Sequence, residues 1–380
     1  MRYFTSFLLI VLALQTTISL AQPYKAIYVF GDSLSDTGRI YQLTGGKIPT
    51  SPPYSAGRFS NGQVWVEYLA EKLQLSYNAS TNFAWGGAET GSSALPQGLQ
   101  LQVSNYLRTS PQADTTGLYF VWAGSNDFFS VGSNATDDDI QQIATNMRTA
   151  VEKLHNAGAR YIVVINVPDL GLTPAGQAEN TTGKFTDIIV RYNAELYAQL
   201  EALGYPIAYV DIFTTLRNLI TTPDNAGLSN LTTECLQEDT LQVCDAPDTY
   251  LFWDRKHPTT IVHNIIAEQV VKSIQQSSYA LDTGVLHLPL VSISNDNGEI
   301  SRFNVDLQAL SDRQALTFAV TQLTPIINNT TLASTSTYSA TTGTVTIPAV
   351  YVNDALCNAV LTAVPDPTLI TFTVTTVSCE

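Results

Sequence analysis

Apolar and polar residues follow two periods in the first three quarters of the chain and one in the last. Short apolar runs at Ala26–Phe30, Asn82–Ala84, Leu118–Ala123, Tyr161–Val167 and Ile207–Val210 read as strands. Between them, residues 64–73, 99–107, 140–157 and 185–203 carry apolar side chains three and four apart, the spacing of a helix with one buried face. The third of these is preceded by Thr136 and three aspartates, an N-cap with acidic residues at the positive end of the helix dipole, and is stopped by Gly158. Strands alternating with helices predict an α/β domain: a parallel sheet with helices on both faces. Ligands of such sheets bind beyond the carboxyl ends of the strands.

After Ala280 the helical period disappears and Thr- and Val-rich alternation takes over. This segment repeats itself. Thr283–Pro289 (TGVLHLP) matches Thr342–Pro348 (TGTVTIP) at an offset of 59, and Asn304–Leu307 matches Asn358–Leu361 at an offset of 54. Leu316–Val320 matches Ile370–Val374, also at 54. The pattern predicts a duplicated three-stranded unit forming one small β-sandwich or barrel. The segment is too short for a membrane-spanning autotransporter barrel. The expected organisation is therefore a leader over 1–21, an α/β domain over 22–280 and an all-β domain over 281–380.

The leader rests on Arg2, the apolar run Phe7–Leu14 and the small-x-small site Ser19-Leu20-Ala21, with cleavage after Ala21. It predicts a secreted or periplasmic protein with no transmembrane anchor in the mature chain. Cys235, Cys244, Cys357 and Cys379 fit an oxidising compartment, and of the three pairings that four cysteines allow, locality favours Cys235–Cys244 and Cys357–Cys379. Without a Cys-x-x-Cys or His-Glu-x-x-His string, no metal site or cofactor is expected. A formal charge of −15 argues against a nucleic-acid partner and against electrostatic attraction to anionic bilayers.

Two short strings carry the chemistry. Gly31-Asp32-Ser33-Leu34 places a serine at the end of an apolar strand, and Asp254-Arg255-Lys256-His257 places a carboxylate and an imidazole three residues apart. A serine hydroxyl becomes a useful nucleophile only when a base takes its proton and a third group orients that base. Ser33, His257 and Asp254 are candidates for the three roles. Ser33 is not in a Gly-x-Ser-x-Gly elbow, and at a strand-to-helix junction its own N–H would serve as an oxyanion donor. Of the four histidines, His155 and His263 fall within helical patterns and His287 in the β segment; only His257 has a carboxylate at this spacing on an expected loop.

Two further blocks, Asn82-Phe83-Ala84-Trp85-Gly86-Gly87-Ala88 and Val121-Trp122-Ala123-Gly124-Ser125-Asn126-Asp127-Phe128, lie between these strings. In this order the four blocks resemble the GDSL, or SGNH, hydrolases. Phe30–Gly38 and Phe252–Thr260 are similar to the bacterial phospholipase/lecithinase/hemolysin branch, and the resemblance spans roughly residues 24–280. It implies a three-layer α/β/α fold and an oxyanion hole built from the Ser33 and Gly87 backbone amides and the Asn126 side chain. The Gly86-Gly87 pair leaves the backbone donor open, and spacing after Asn82 favours Gly87. Ser33, Gly87 and Asn126 all follow expected strands, so the topology gathers them on one rim. The branch often has Asn after its Ser-Asp-Thr-Gly, where this chain has Arg39.

The resemblance implies a secreted serine ester hydrolase acting on acyl lipids, phospholipase A- or lysophospholipase-like, with acyl transfer to an alcohol as a side reaction. Phe128-Phe129 is an aromatic pair expected near the site. The alternatives are a carbohydrate acetylesterase and a binding protein with an inactive hydrolase domain. The segment Cys235–Cys244 is expected to brace a loop or, less simply, to act as a lid. The β domain is a candidate for a glycan, lipid or protein ligand.

Overall fold

The computed structural model describes residues 25–179, 183–204, 207–221, 226–274, 277–280, 284–294, 300–311, 316–325, 336–339, 342–352, 355–364 and 369–379. The expected leader, 1–21, lies outside them.

Four strands, β1 (Ala26–Gly31), β2 (Gly117–Trp122), β3 (Tyr161–Ile165) and β4 (Ala208–Val210), pair in that order, all parallel. Successive residues of a strand face opposite sides of its sheet, and both sides are covered. Tyr119 and Val121 point into a core shared with the helices Leu99–Thr109, Asp137–Asn156 and Lys184–Glu201. Leu118, Phe120 and Trp122 point into a second core, shared with Trp65–Lys72, Ile212–Thr221 and Thr260–Ile274. This is the expected three-layer α/β/α architecture. Each large apolar side chain buried this way contributes about 1.5–3 kcal/mol of transfer free energy. Thr136 caps its helix as expected: its hydroxyl accepts the Asp139 amide, and the Asp139 carboxylate accepts the Thr136 amide.

The strand expected at Asn82–Ala84 shrinks to one parallel bridge between Val29 and Asn82. Asn82 explains this locally. Its Oδ1 accepts the Ala84 amide at 3.1 Å and its Nδ2 donates to the Ser35 carbonyl at 2.7 Å, so side chain competes with ladder for the backbone. Farther on, β5 (Asn230–Glu234) is joined to a small hairpin, β6 (Leu236–Gln237) and β7 (Gln242–Val243), and β8 (Tyr250–Phe252) pairs back on β5. A disulfide, Cys235–Cys244, closes the hairpin as expected.

Eight strands make up the C-terminal sheet: β9 (Ser277–Ala280), β10 (Val285–Ser294), β11 (Ile300–Ala309), β12 (Thr317–Pro325), β13 (Ser336–Ser339), β14 (Thr344–Val352), β15 (Ala355–Val364) and β16 (Thr371–Cys379). Their pairings form a closed circuit, β10–β11–β12–β16–β15–β14–β10, in which β9 and β13 both bridge β14 and β10. The unit is therefore a barrel. Two expectations change here. The repeat has four strands, because β9 (Ser-Ser-Tyr-Ala) and β13 (Ser-Thr-Tyr-Ser) correspond at the same offset as β10 and β14. Ser277–Ala280 also pairs with the C-terminal strands, so it leaves the α/β domain to which the boundary at 280 assigned it. Even the irregularities are duplicated. Register shifts between Leu288 and Val291 and between Ile347 and Val350 coincide in the two copies, as do those at Asp306/Leu307 and Val360/Leu361. The core repeats as well, Leu288 with Ile347, Leu307 with Leu361 and Phe318 with Phe372. The register sets Cys357 opposite Cys379, while their side chains lie outside the described residues.

Candidate active site

Ser33 follows β1 on a tight turn rather than at the head of a long helix. The amides of Ser35 and Asp36 both return to the Asp32 carbonyl, and Asp32 Oδ1 accepts the Leu34 amide at 2.9 Å. Asp36 does more. Its carboxylate accepts the amides of Gly38, Arg39 and Ile40, curling the chain into the five-residue helix Arg39–Leu43. Two aspartates thus consume the amides that a longer helix would have needed.

The second string arrives on the loop after β8. Trp253 donates its amide to the His257 carbonyl at 2.8 Å, which folds Asp254–His257 into one turn. Asp254 Oδ1 accepts the amides of Lys256 and His257, each at 2.7 Å. His257 Nδ1 lies 2.6 Å from Asp254 Oδ2. A carboxylate only accepts, so Nδ1 carries the proton and Nε2 is left to accept from Ser33 Oγ, 2.8 Å away. The helix that follows runs Thr260–Ile274, and Asn61 Oδ1 accepts the Thr260 amide at its start.

Electrostatics reinforce this tautomer. Burial alone would raise the Asp254 carboxyl, yet the His257 charge and the hydrogen bonds from His257, Lys256 and Tyr54 hold it below the usual carboxylate range. Burial would lower His257, and the Asp254 charge and hydrogen bond outweigh it, so the imidazole is raised. Asp32 goes the other way. Burial pushes it up to about 7 against the Leu34 amide and the His257 charge, and its Oδ2 has no hydrogen-bond partner.

The glycine block lies beside Ser33. The Gly86 amide donates to Asp36 Oδ2 at 2.8 Å, which leaves the Gly87 amide as the pair's candidate donor to a substrate. Gly87 has a φ of 79°, a left-handed conformation natural to glycine. Asn126 stands at the start of the helix Ser125–Val131 and donates one Nδ2 hydrogen to the Ala88 carbonyl at 2.9 Å. Its second amide hydrogen remains for a developing oxyanion. Asp127 next to it accepts the Thr90 amide and hydroxyl, pinning the glycine loop to the Asn126 helix.

Ser33, Asn126 and His257 border a cleft that opens to solvent, with apolar walls that include Phe129, Leu170, Leu216 and Phe252. The aromatic pair divides its work. Phe129 lines the cleft, whereas Phe128 is fully buried against Tyr192. Lys256 Nζ sits 4.5 Å above the Phe129 ring.

Sequence reasoning missed Asp127 and Tyr54. Asp127 has a local signal, a charge directly after Asn126 in an otherwise uncharged block. Tyr54 has none, since its partner Asp254 lies 200 residues away.

A family model described as GDSL-like lipase/acylhydrolase matches residues 27–270. The chain belongs to this family. Its members' names fit a carboxylic-ester hydrolase, the activity assigned to this chain. A phosphatidylcholine-sterol acyltransferase of Aeromonas hydrophila is 26% identical over 306 residues, 66% of this chain and 90% of that protein. The thermolabile hemolysin of Vibrio parahaemolyticus is 28% identical over 273 residues, 65% of this chain and 63% of that protein. The crystal structure of an acetyl xylan esterase, AlAXEase, aligns with 66% of this chain and 100% of its own at 12% identity, with a TM-score of 0.38. At that score the likeness adds nothing to the family assignment.

Proposed function

We propose that the protein cleaves acyl esters of lipids through an acyl-enzyme on Ser33. The observation that carries this reading is the unbroken hydrogen-bond chain from Ser33 through His257 to Asp254 at the edge of an apolar cleft. Ser33 Oγ attacks the ester carbonyl as His257 Nε2 takes its proton, and Asp254 stabilises the imidazolium. The Ser33 and Gly87 amides and Asn126 Nδ2 receive the charge that builds on the carbonyl oxygen. Collapse of that intermediate expels the alcohol, which leaves with the proton from His257. Water then attacks the acyl-serine with His257 again as base, releasing the acid and restoring Ser33. An alcohol in place of water gives acyl transfer by the same step, the reaction named for the Aeromonas relative. Phe129, Leu170, Leu216 and Phe252 suit an acyl chain.

We place the enzyme outside the cytoplasm on two grounds: the leader-like residues 1–21 and the Cys235–Cys244 bond.

The test is hydrolysis rate against acyl length, with a lysophospholipid and an acetylated sugar included, for the wild type beside Ser33→Ala. A rate that climbs toward long acyl chains and vanishes in the variant supports the reading. Ser33-dependent activity confined to acetyl esters moves the assignment to carbohydrate deacetylation, and no Ser33-dependent rate on any ester removes it.

A further inference from the structure

Tyr54 reaches Asp254 from a proline-rich loop, and its hydroxyl donates to Oδ2 at 2.7 Å. That oxygen is the one that receives His257 Nδ1. The carboxylate therefore has four donors: two backbone amides on Oδ1, and the imidazole and the phenol on Oδ2. The amides come from the turn that carries Asp254 itself. Tyr54 is the one donor of the four that comes from a distant segment.

Tyr54 is held on every side. Its ring meets Trp253 edge-on at 6.1 Å and Phe59 edge-on at 6.3 Å, and Phe59 lies 5.2 Å from the His257 ring. Cys235 and Leu236 complete its buried cluster. They belong to the disulfide-closed hairpin, whose Cys235 and Leu236 amides donate to the carbonyls of Phe252 and Trp253, the residues leading into Asp254. Ser51 Oγ donates to the Tyr54 carbonyl at 2.6 Å. Hairpin, acid-bearing loop and proline-rich loop thus converge on one phenol.

We propose that Tyr54 is a positioning residue of the reaction: it aims Asp254 Oδ2 at His257 Nδ1 and moderates how strongly the carboxylate holds the imidazolium. The proposal rests on the catalytic reading of Ser33, Asp254 and His257. The phenol is suited to the task because burial, and then the Asp254 charge, push its ionisation well above the ordinary range, so it remains a donor at every working pH. The other charged or titratable groups that bear on the site are Asp32, Lys256 and His263 on His257, and Glu238 on both Asp254 and the Tyr54 hydroxyl, the latter by charge and hydrogen bond, with Arg255 beside Glu238.

Tyr54→Phe removes the hydroxyl and keeps the ring. A hydrogen bond to a charged group is worth enough that its loss lowers kcat by about 10- to 100-fold. With one donor gone, Asp254 holds the imidazolium more tightly, so the acid limb of the kcat/KM profile moves to higher pH while KM changes little. Tyr54→3,5-difluorotyrosine, a stronger donor of nearly the same shape, moves the limb the opposite way and serves if the phenylalanine variant does not fold. Paired shifts of opposite sign establish the role. A folded variant with unmoved kcat and limb overturns it, and so does a rate loss with an unmoved limb, which would mark Tyr54 as packing alone. Ser33→Ala is measured alongside. If it keeps the activity, the catalytic reading fails; if it abolishes activity while the Tyr54 variants match wild type, only this inference fails.

Discussion

Gln102 grips Gly31 at both of its backbone groups: Oε1 accepts the Gly31 amide at 2.9 Å, and Nε2 donates to the Gly31 carbonyl at 2.8 Å. Gly31 is two residues before Ser33, and a Cβ there would lie 2.3 Å from the Trp122 carbonyl oxygen on the neighbouring strand. The strand end that presents Ser33 is thus set by a buried amide on one side and close backbone on the other. Gln102→Leu leaves the Gly31 N–H buried without a partner, though its carbonyl keeps the Trp85 amide. The expected cost is about 1–3 kcal/mol of stability, read as a lower urea midpoint with an unchanged slope. Turnover on a soluble ester falls with it.

Asn126→Ala removes a candidate oxyanion donor and also its tie to Ala88. Turnover is expected to drop about 100- to 1,000-fold, with KM within a few-fold of wild type. Steady-state kinetics on one ester decides it. A fall in kcat/KM carried by KM alone would mean that Asn126 binds substrate rather than the oxyanion.

Gly86→Ala tests the wall behind His257. The added Cβ would lie 2.4 Å from the Phe59 ring, which packs against both Tyr54 and His257. The ring has to move, and His257 loses its neighbour. Overpacking of this kind costs about 1–3 kcal/mol, so the thermal midpoint should drop and activity with it. Phe59→Leu in the same background opens space for the new methyl and should restore the midpoint.

His263 predicts a pH dependence of stability. It is fully buried; its Nδ1 accepts the Trp65 amide at 3.2 Å and its Nε2 has no partner. Burial, then the His257 charge, push it down to about 3. Between that value and an unfolded value of about 6.5, the unfolded chain takes up a proton that the folded chain refuses. Its contribution is therefore complete above about pH 6.5 and is lost progressively below it, by about 2 kcal/mol at pH 5. Asp32, raised to about 7, acts in the opposite sense over the acid range. The clean measurement is a difference. His263→Asn, whose Oδ1 accepts in place of Nδ1, should flatten the fall in unfolding free energy between pH 7.5 and pH 5.

The convergence of Ser33, His257 and Asp254 was legible because each of its parts is local in sequence. Ser33 sits one residue past Asp32, and Asp254 and His257 share one turn, so contiguous strings carry them across a gap of more than 200 residues. The three-layer fold was legible for a similar reason, since strand and helix periods are local properties. Asp127 showed only as a charge beside Asn126, and Tyr54 and Gln102 were not legible as parts of the site. Their roles are defined by partners brought near only by folding, and nothing in their spacing foretells a phenol on Asp254 or an amide around Gly31. The helix expected after Ser33 was misread because propensity does not reveal that the Asp32 and Asp36 carboxylates take the amides it needs. In the β segment the three longer strands of each copy showed themselves by alternation. Ser277–Ala280 and Ser336–Ser339 are only four residues each, too short to display a period, and their kinship emerges from the pairings they share.

Those pairings have a consequence for how this part of the chain is assembled. The first strand of each copy is antiparallel to its own second strand and parallel to the second strand of the other copy, so neither half can seal its seam from its own residues. A half made alone would carry two raw margins, and the surface that best fits them is another half. A chain cut between β12 and β13 should therefore yield fragments that seek each other, or a twin, out of solution.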